Sequence, residues 1–131
     1  MITKTFIVDD FVMVGNKKFA LNLNVYRNAH YQTLNKAKII FKNQLLINHP
    51  ELYQITAQRI EIEYYIERCD YRKFDTMNII SIVDKFFCDA LVEAGCIPDD
   101  NYNYVSYAAP KVSDYATKMP NKKIHIFCNF Y

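Results

Sequence analysis

The chain reads as a single α+β domain in which a mixed or antiparallel β-sheet packs on two helices, in the approximate order ββαβαββ. Three observations predict this. "RIEIEYYIE", residues 59–67, alternates without a break. "TMNIISIVDKFFCDALVEA", residues 76–94, keeps helical spacing over a wide apolar surface. Strand-like and helix-like segments alternate along 131 residues, a length that suits one domain over residues 1–131 with one core.

The elements follow in order. "TKTFIVDDFVMV", residues 3–14, is rich in β-branched and aromatic residues and predicts a strand broken at Asp9-Asp10. "GNKK" is a turn signal, and Phe19–Leu23 is the expected return strand. Residues 24–30 are polar and read as irregular. From Tyr31 to Ile47, apolar residues at 34, 37, 41, 45 and 46 predict a first helix, which Pro50 stops. In "RIEIEYYIE" Ile60, Ile62, Tyr64 and Ile66 share one face and Arg59, Glu61, Glu63, Tyr65 and Glu67 the other, as in a strand with one face on the core. Asp75 suits an N-cap and Gly95 a C-terminal stop, which bounds a second, central helix over 76–94. "CIPDDN" is a loop. "NYVSYAA" (103–109) and "KKIHIFCNF" (122–130) are the expected last strands.

Composition narrows the function classes. With hydrophobic residues at 51% and charged residues at 23%, the chain can bury a core and is not a disordered one. No apolar run reaches the roughly 20 residues of a membrane span, and "MITKTFIVDDF" has acids where a signal peptide has its apolar core. The expectation is a soluble, cytoplasmic protein. Cysteines at 69, 88, 96 and 128 and histidines at 30, 49 and 125 show no zinc-site spacing and read as buried thiols and scattered imidazoles. Two glycines exclude a glycine-rich phosphate loop, and there is no G-x-S-x-G.

Net charge is only +2, yet Lys17, Lys18, Arg27, Lys36, Lys38 and Lys42 crowd the first third with no acid among them and with Tyr26, Tyr31 and Phe41 interleaved. Such a stretch can follow a phosphate backbone, or it can be a solvated helix face. On the second helix, Asn78, Ser81, Lys85 and Asp89 fall in a sector of roughly 80°, one polar stripe, while Asp84 lies off it. Asp75 caps the end nearest Asn78. The stripe is either a site or a solvated face with Lys85 and Asp89 as an i,i+4 pair. Asp99-Asp100 is a common surface-turn pair, and near a third acid it becomes a hard-oxygen site for Mg²⁺.

Lys85, "DAL" at 89–91, Gly95 and Asp99-Asp100 have the spacing K-x-x-x-DAL-x-x-x-G-x-x-x-DD. This resembles the RusA-type Holliday junction resolvases of phages and prophages. "LNVYRNAHYQTLNKAKIIFK", from residue 21, also resembles that family's N-terminal region, where an asparagine and basic residues precede the first helix. The resemblance implies a RusA-like fold and a homodimeric, Mg²⁺-dependent endonuclease, with Mn²⁺ able to substitute, that cuts four-way or branched DNA by paired nicks. It implies catalytic roles for Asp75, Lys85, Asp89 and Asp100, and metal ligands drawn from Asp75, Asp84, Asp99 and Asp100. Lys17, Lys18, Asn24, Arg27, His30, Lys36 and Lys38 would hold DNA. One departure stands out. The family carries D-x-D-N at the start of the helix, four residues ahead of the lysine. Ser81 stands there, with "DTMN" upstream. The alternative is therefore a non-catalytic RusA-like phage protein that binds branched DNA, or a host protein through some of its eleven tyrosines.

Geometry adds a constraint. Asp75 and Asp100 lie beyond opposite ends of a helix about 28 Å long, and the five residues after Gly95 recover at most about 16 Å. Three arrangements satisfy this: a strongly returning chain, a site shared across a dimer, or a ligand set centred near Lys85 and Asp89.

Overall fold

A computed structural model describes residues 1–131. Its elements are β1 (Ile2–Asp9), β2 (Phe11–Val14), β3 (Lys17–Ala20), α1 (Leu23–Asn28), α2 (Tyr31–Asn48), a 3-10 turn (Pro50–Gln54), β4 (Ile60–Arg68), α3 (Thr76–Glu93), β5 (Val105–Tyr107), β6 (Lys111–Ala116) and β7 (Lys123–Phe130). The class is α+β, with three helices and a mixed sheet.

The main sheet runs β1-β7-β4-β5, and β6 joins the same edge of β4 as β5. β1 and β4 flank β7 antiparallel, whereas β5 and β6 lie parallel to β4, β5 beside Ile60–Ile62 and β6 beside Tyr65–Arg68. Alternation works as expected on β4: Ile60, Ile62, Tyr64 and Ile66 are buried. Ile124, Ile126, Cys128 and Phe130 of β7 and Phe6 of β1 complete that inner face. α3 lies on it with Ile79, Ile80, Ile82, Val83, Phe86, Phe87, Cys88, Ala90 and Leu91 buried. The Phe87 ring meets Phe6 edge-on at 5.2 Å, and Phe86 meets Phe41 of α2 at 5.8 Å, so α3 is packed on both sheet and neighbouring helix. No helix is long and apolar enough to cross a membrane.

Four expectations are corrected. The strand over 3–14 breaks at Asp10, as anticipated, but its second half leaves the main sheet and pairs only with β3. β3 begins at Lys17, inside the expected turn, because the hairpin needs only Gly15 at positive φ to reverse. Residues 23–28 form α1. The Asn22 side chain accepts from the Val25 N–H at 2.9 Å, and Leu23, Val25 and Tyr26 pack partly on the core, which compensates for the lack of apolar periodicity. β6 was missed because only Ser113, a polar residue, is buried on this sheet edge, so alternation carries little signal.

Candidate functional site: an acidic and basic cleft between α2 and α3

Asp75 is the N-cap of α3, its Oδ1 accepting from the Met77 N–H at 3.1 Å. Eighteen helical residues follow, about 27 Å. At the far end Gly95 takes φ +83°. Its N–H reaches the Val92 carbonyl at 3.0 Å, and the Cys96 N–H reaches Leu91 at 2.9 Å. This is the paired-bond helix stop that glycine permits. It turns the chain back, and buried Cys96 and Ile97 pin the return.

That return carries Asp99 and Asp100 to the flank of α3. Asp99 and Asp100 line one cleft with Asp89 and Glu93 of α3 and Asn35, Lys38 and Lys42 of α2. Of the three arrangements allowed by length, the acids of the doublet therefore stand near Asp89. Asp75 is not among them. It lies about 21 Å up the helix from Asp89, fourteen residues at 1.5 Å each. It lines a different hollow, with Asp10, Asn24, Asn78 and Lys122.

The cleft has mixed charge. Lys42 Nζ is 2.7 Å from Glu93, and Lys38 Nζ is 4.0 Å from Asp89. Burial raises the Asp89 carboxyl above the usual range. Lys85 and Lys38 oppose that rise, and the Asp100 and Glu93 charges add to it. Asp89 and Asp100 thus line one cleft with like charges. Asp99 shapes the turn: its Oδ1 accepts from the Asp100 N–H and its Oδ2 from Asn101 Nδ2, both at 2.8 Å. Those bonds, the one from the Asp100 N–H first, hold its carboxyl below the usual range. No group of three or more His, Cys, Asp or Glu side chains is arranged to hold a metal unaided. The donor set fits Mg²⁺ in its usual manner, where one or two carboxylates bind and water and phosphate oxygens complete the shell.

Asp84 is placed elsewhere. Tyr64 donates to its Oδ1 at 2.6 Å and Tyr107 to its Oδ2 at 2.7 Å, so the carboxylate ties α3 to β4 and β5. Cys88 also points at it, Sγ 3.4 Å from Oδ1. The Ser81 Oγ is buried and has no hydrogen-bond partner. The basic residues scatter. Lys18 sits over the Phe11 ring at 4.4 Å in the β2–β3 hairpin, beside Lys17. His30 caps α2, its Nδ1 accepting from the Gln32 N–H. Arg27 and Lys36 are exposed on α1 and α2. Of the predicted DNA contacts, only Lys38 reaches the cleft.

Asn35 and Glu93 were missed, and Lys42, noted in the basic stretch, was not placed beside the acids. The signal was present: 35, 38 and 42 form an i, i+3, i+7 row, and 85, 89 and 93 an i, i+4, i+8 row. That 38 and 42 face 89 and 93 is a fact of packing.

The buried acids of this region imply alkaline sensitivity. Burial, then the Asp84 charge, pushes the Tyr64 phenol well above its ordinary value; partial burial and the bond to Asp84 push up the half-exposed Tyr107, and burial pushes up the Cys88 and Cys128 thiols, and Cys96 to about 11. The folded chain thus keeps protons that the unfolded chain sheds. This contribution is intact below the unfolded thiol value near about 8.5 and is lost as pH rises toward the folded values, first for thiols and then, above about 10, for phenols. Urea midpoints should fall from pH 8 upward. A flat midpoint to pH 11 would contradict this.

No protein-family model matches the chain, and no curated protein matches it.

Proposed function

We propose that the chain is a divalent-metal-dependent endonuclease that nicks four-way or branched DNA. One observation carries the reading. Asp89, Asp99 and Asp100, spaced along the sequence as in RusA-type resolvases, meet at one cleft with Lys38 and Lys42, with Lys85 one turn up the helix. Asp89 and Asp100 would hold Mg²⁺ or Mn²⁺, and a cation between them would offset the burial and, after it, the Asp100 charge that raise Asp89. When bound, the ion activates water and neutralises charge on a phosphate. Lys38, Lys42 and Lys85 would hold the phosphate and offset the charge that develops on it. Asp99 would keep the turn in shape, and Asp75 would cap the helix. Paired nicks need two sites, so the working form would be a two-fold homodimer.

A second reading, a non-catalytic binder of branched DNA, is favoured by Ser81, where the resembled family has an acid. A nicking assay separates them. A synthetic four-way junction and a linear duplex are incubated with Mg²⁺, with Mn²⁺ and with EDTA. Nicks on the junction in the metal arms alone are expected. Metal-independent binding without nicks overturns the first reading in favour of the second. Neither binding nor nicking overturns both.

A further inference from the structure

We infer that the loop between β4 and α3, with the segment entering β7, forms a second nucleic-acid surface that takes an unpaired strand. This deepens the proposed DNA-directed activity and rests on it for the substrate class.

The loop and the end of β4 are basic and aromatic by composition: Arg68, the last residue of β4, then Tyr71, Arg72, Lys73 and Phe74 against one carboxylate, Asp70, before the Asp75 cap. Asp70 is consumed within the loop. It accepts from the Arg72 N–H and Nε, both at 3.0 Å, and from Arg72 Nη2 at 2.9 Å. Those bonds fold the loop tightly and bring Tyr71 to the surface, where it is 72% exposed. The Arg68 guanidinium lies 5.4 Å from the Tyr71 ring centre and backs it. Arg68 itself donates to a backbone carbonyl, that of Asp114, and not to a carboxylate, so its charge is uncompensated. Lys122 Nζ stands 4.9 Å from the Phe74 ring. Lys73 is exposed. Together Arg68, Tyr71, Arg72, Lys73 and Phe74 line an open hollow of about 270 Å³.

An exposed ring backed by a guanidinium, with further cations beside it, is the arrangement that stacks a base and holds its phosphates. Duplex DNA offers no free base face, so the ligand chemistry is single-stranded. The position suits the proposed activity. The loop lies at the opposite end of α3 from the cleft, and about 21 Å spans about six steps of a DNA strand at 3.4 Å each. A strand held at the cleft could then present its unpaired continuation to Tyr71.

The test is fluorescence anisotropy of a short labelled oligothymidylate with the full chain. Wild-type binding is expected, weakened about tenfold by Tyr71→Ala and retained by Tyr71→Phe, because stacking on one ring contributes on that scale. Lys73→Ala should reduce the slope of log affinity against log salt by about one. An unchanged melting temperature for Tyr71→Ala separates binding from folding. Equal affinity after Tyr71→Ala overturns the inference, as does full competition by poly-glutamate, which would mark a surface for an acidic protein. A chain that nicks junctions but ignores oligothymidylate also overturns it and leaves the endonuclease reading standing. Tyr71-dependent binding by a chain that nicks nothing supports the surface and removes only the proposed activity.

Discussion

Asp100→Asn is expected to lower junction nicking at least about hundredfold, because even outer-sphere partners of a metal typically cost about 10–100-fold. Asn keeps the size of the side chain and removes the charge, so folding should be untouched at this exposed turn. Asp89→Asn should behave alike, with one further sign. Its carboxyl is raised by burial and by Asp100, so neutralising it relieves repulsion and leaves the free protein at least as stable. Metal linkage supplies a readout independent of turnover. Mn²⁺ at a hundredfold excess over its Kd should stabilise the wild type by about 2.7 kcal/mol, and neither variant should respond. Asp75→Asn is the control that decides between geometries. Asparagine caps a helix about as well as aspartate, and Asp75 stands about 21 Å from Asp89 within the chain. It should nick within a few-fold of wild type. If Asp75→Asn loses as much as Asp100→Asn, the ion is shared across a dimer and the single-chain cleft is the wrong site.

Phe87→Ala should be the most damaging packing change, costing about 3–5 kcal/mol. Phe87 has 0% exposure and sits between α3 and the sheet, against Phe6 at 5.2 Å. Its loss would remove a large apolar burial and an edge-to-face aromatic contact together, and a rigid sheet cannot close over the cavity. Against a typical total of about 5–15 kcal/mol, that is a large share. The melting temperature should fall by about 10–20 °C, with an unchanged denaturant slope. A loss below about 1 kcal/mol would mean that helix and sheet are not locked through this ring. Phe127 is the contrast. It lies 39% exposed on the open face of β7, and Phe127→Ala should be mild.

Much of the fold was legible because its strongest elements are also its most buried. β4 and α3 carry full apolar periods, and Asp75 and Gly95 mark the ends of α3 by the chemistry of capping. α1 and β6 were not legible. One depends on a single asparagine cap and partial packing, the other on the edge offered by β4, and neither writes a period into the chain. The site divides the same way. Lys85, Asp89 and the Asp99-Asp100 pair were singled out from spacing. Asp84 was singled out too, but both its oxygens are taken by Tyr64 and Tyr107, a pairing across three elements that no local pattern announces.

By itself, then, the sequence determined an α+β domain with a central apolar helix, the stop at Gly95, and the acids that follow it. Local rules suffice there, since period, cap and turn act over a few residues. Only the tertiary structure decided which acids meet. The helix length separates Asp75 from Asp100, the reversal at Gly95 returns Asp99 and Asp100 to Asp89, and the packing of α2 on α3 sets Lys38 and Lys42 opposite them. Those are distances through space, fixed by how rigid elements pack.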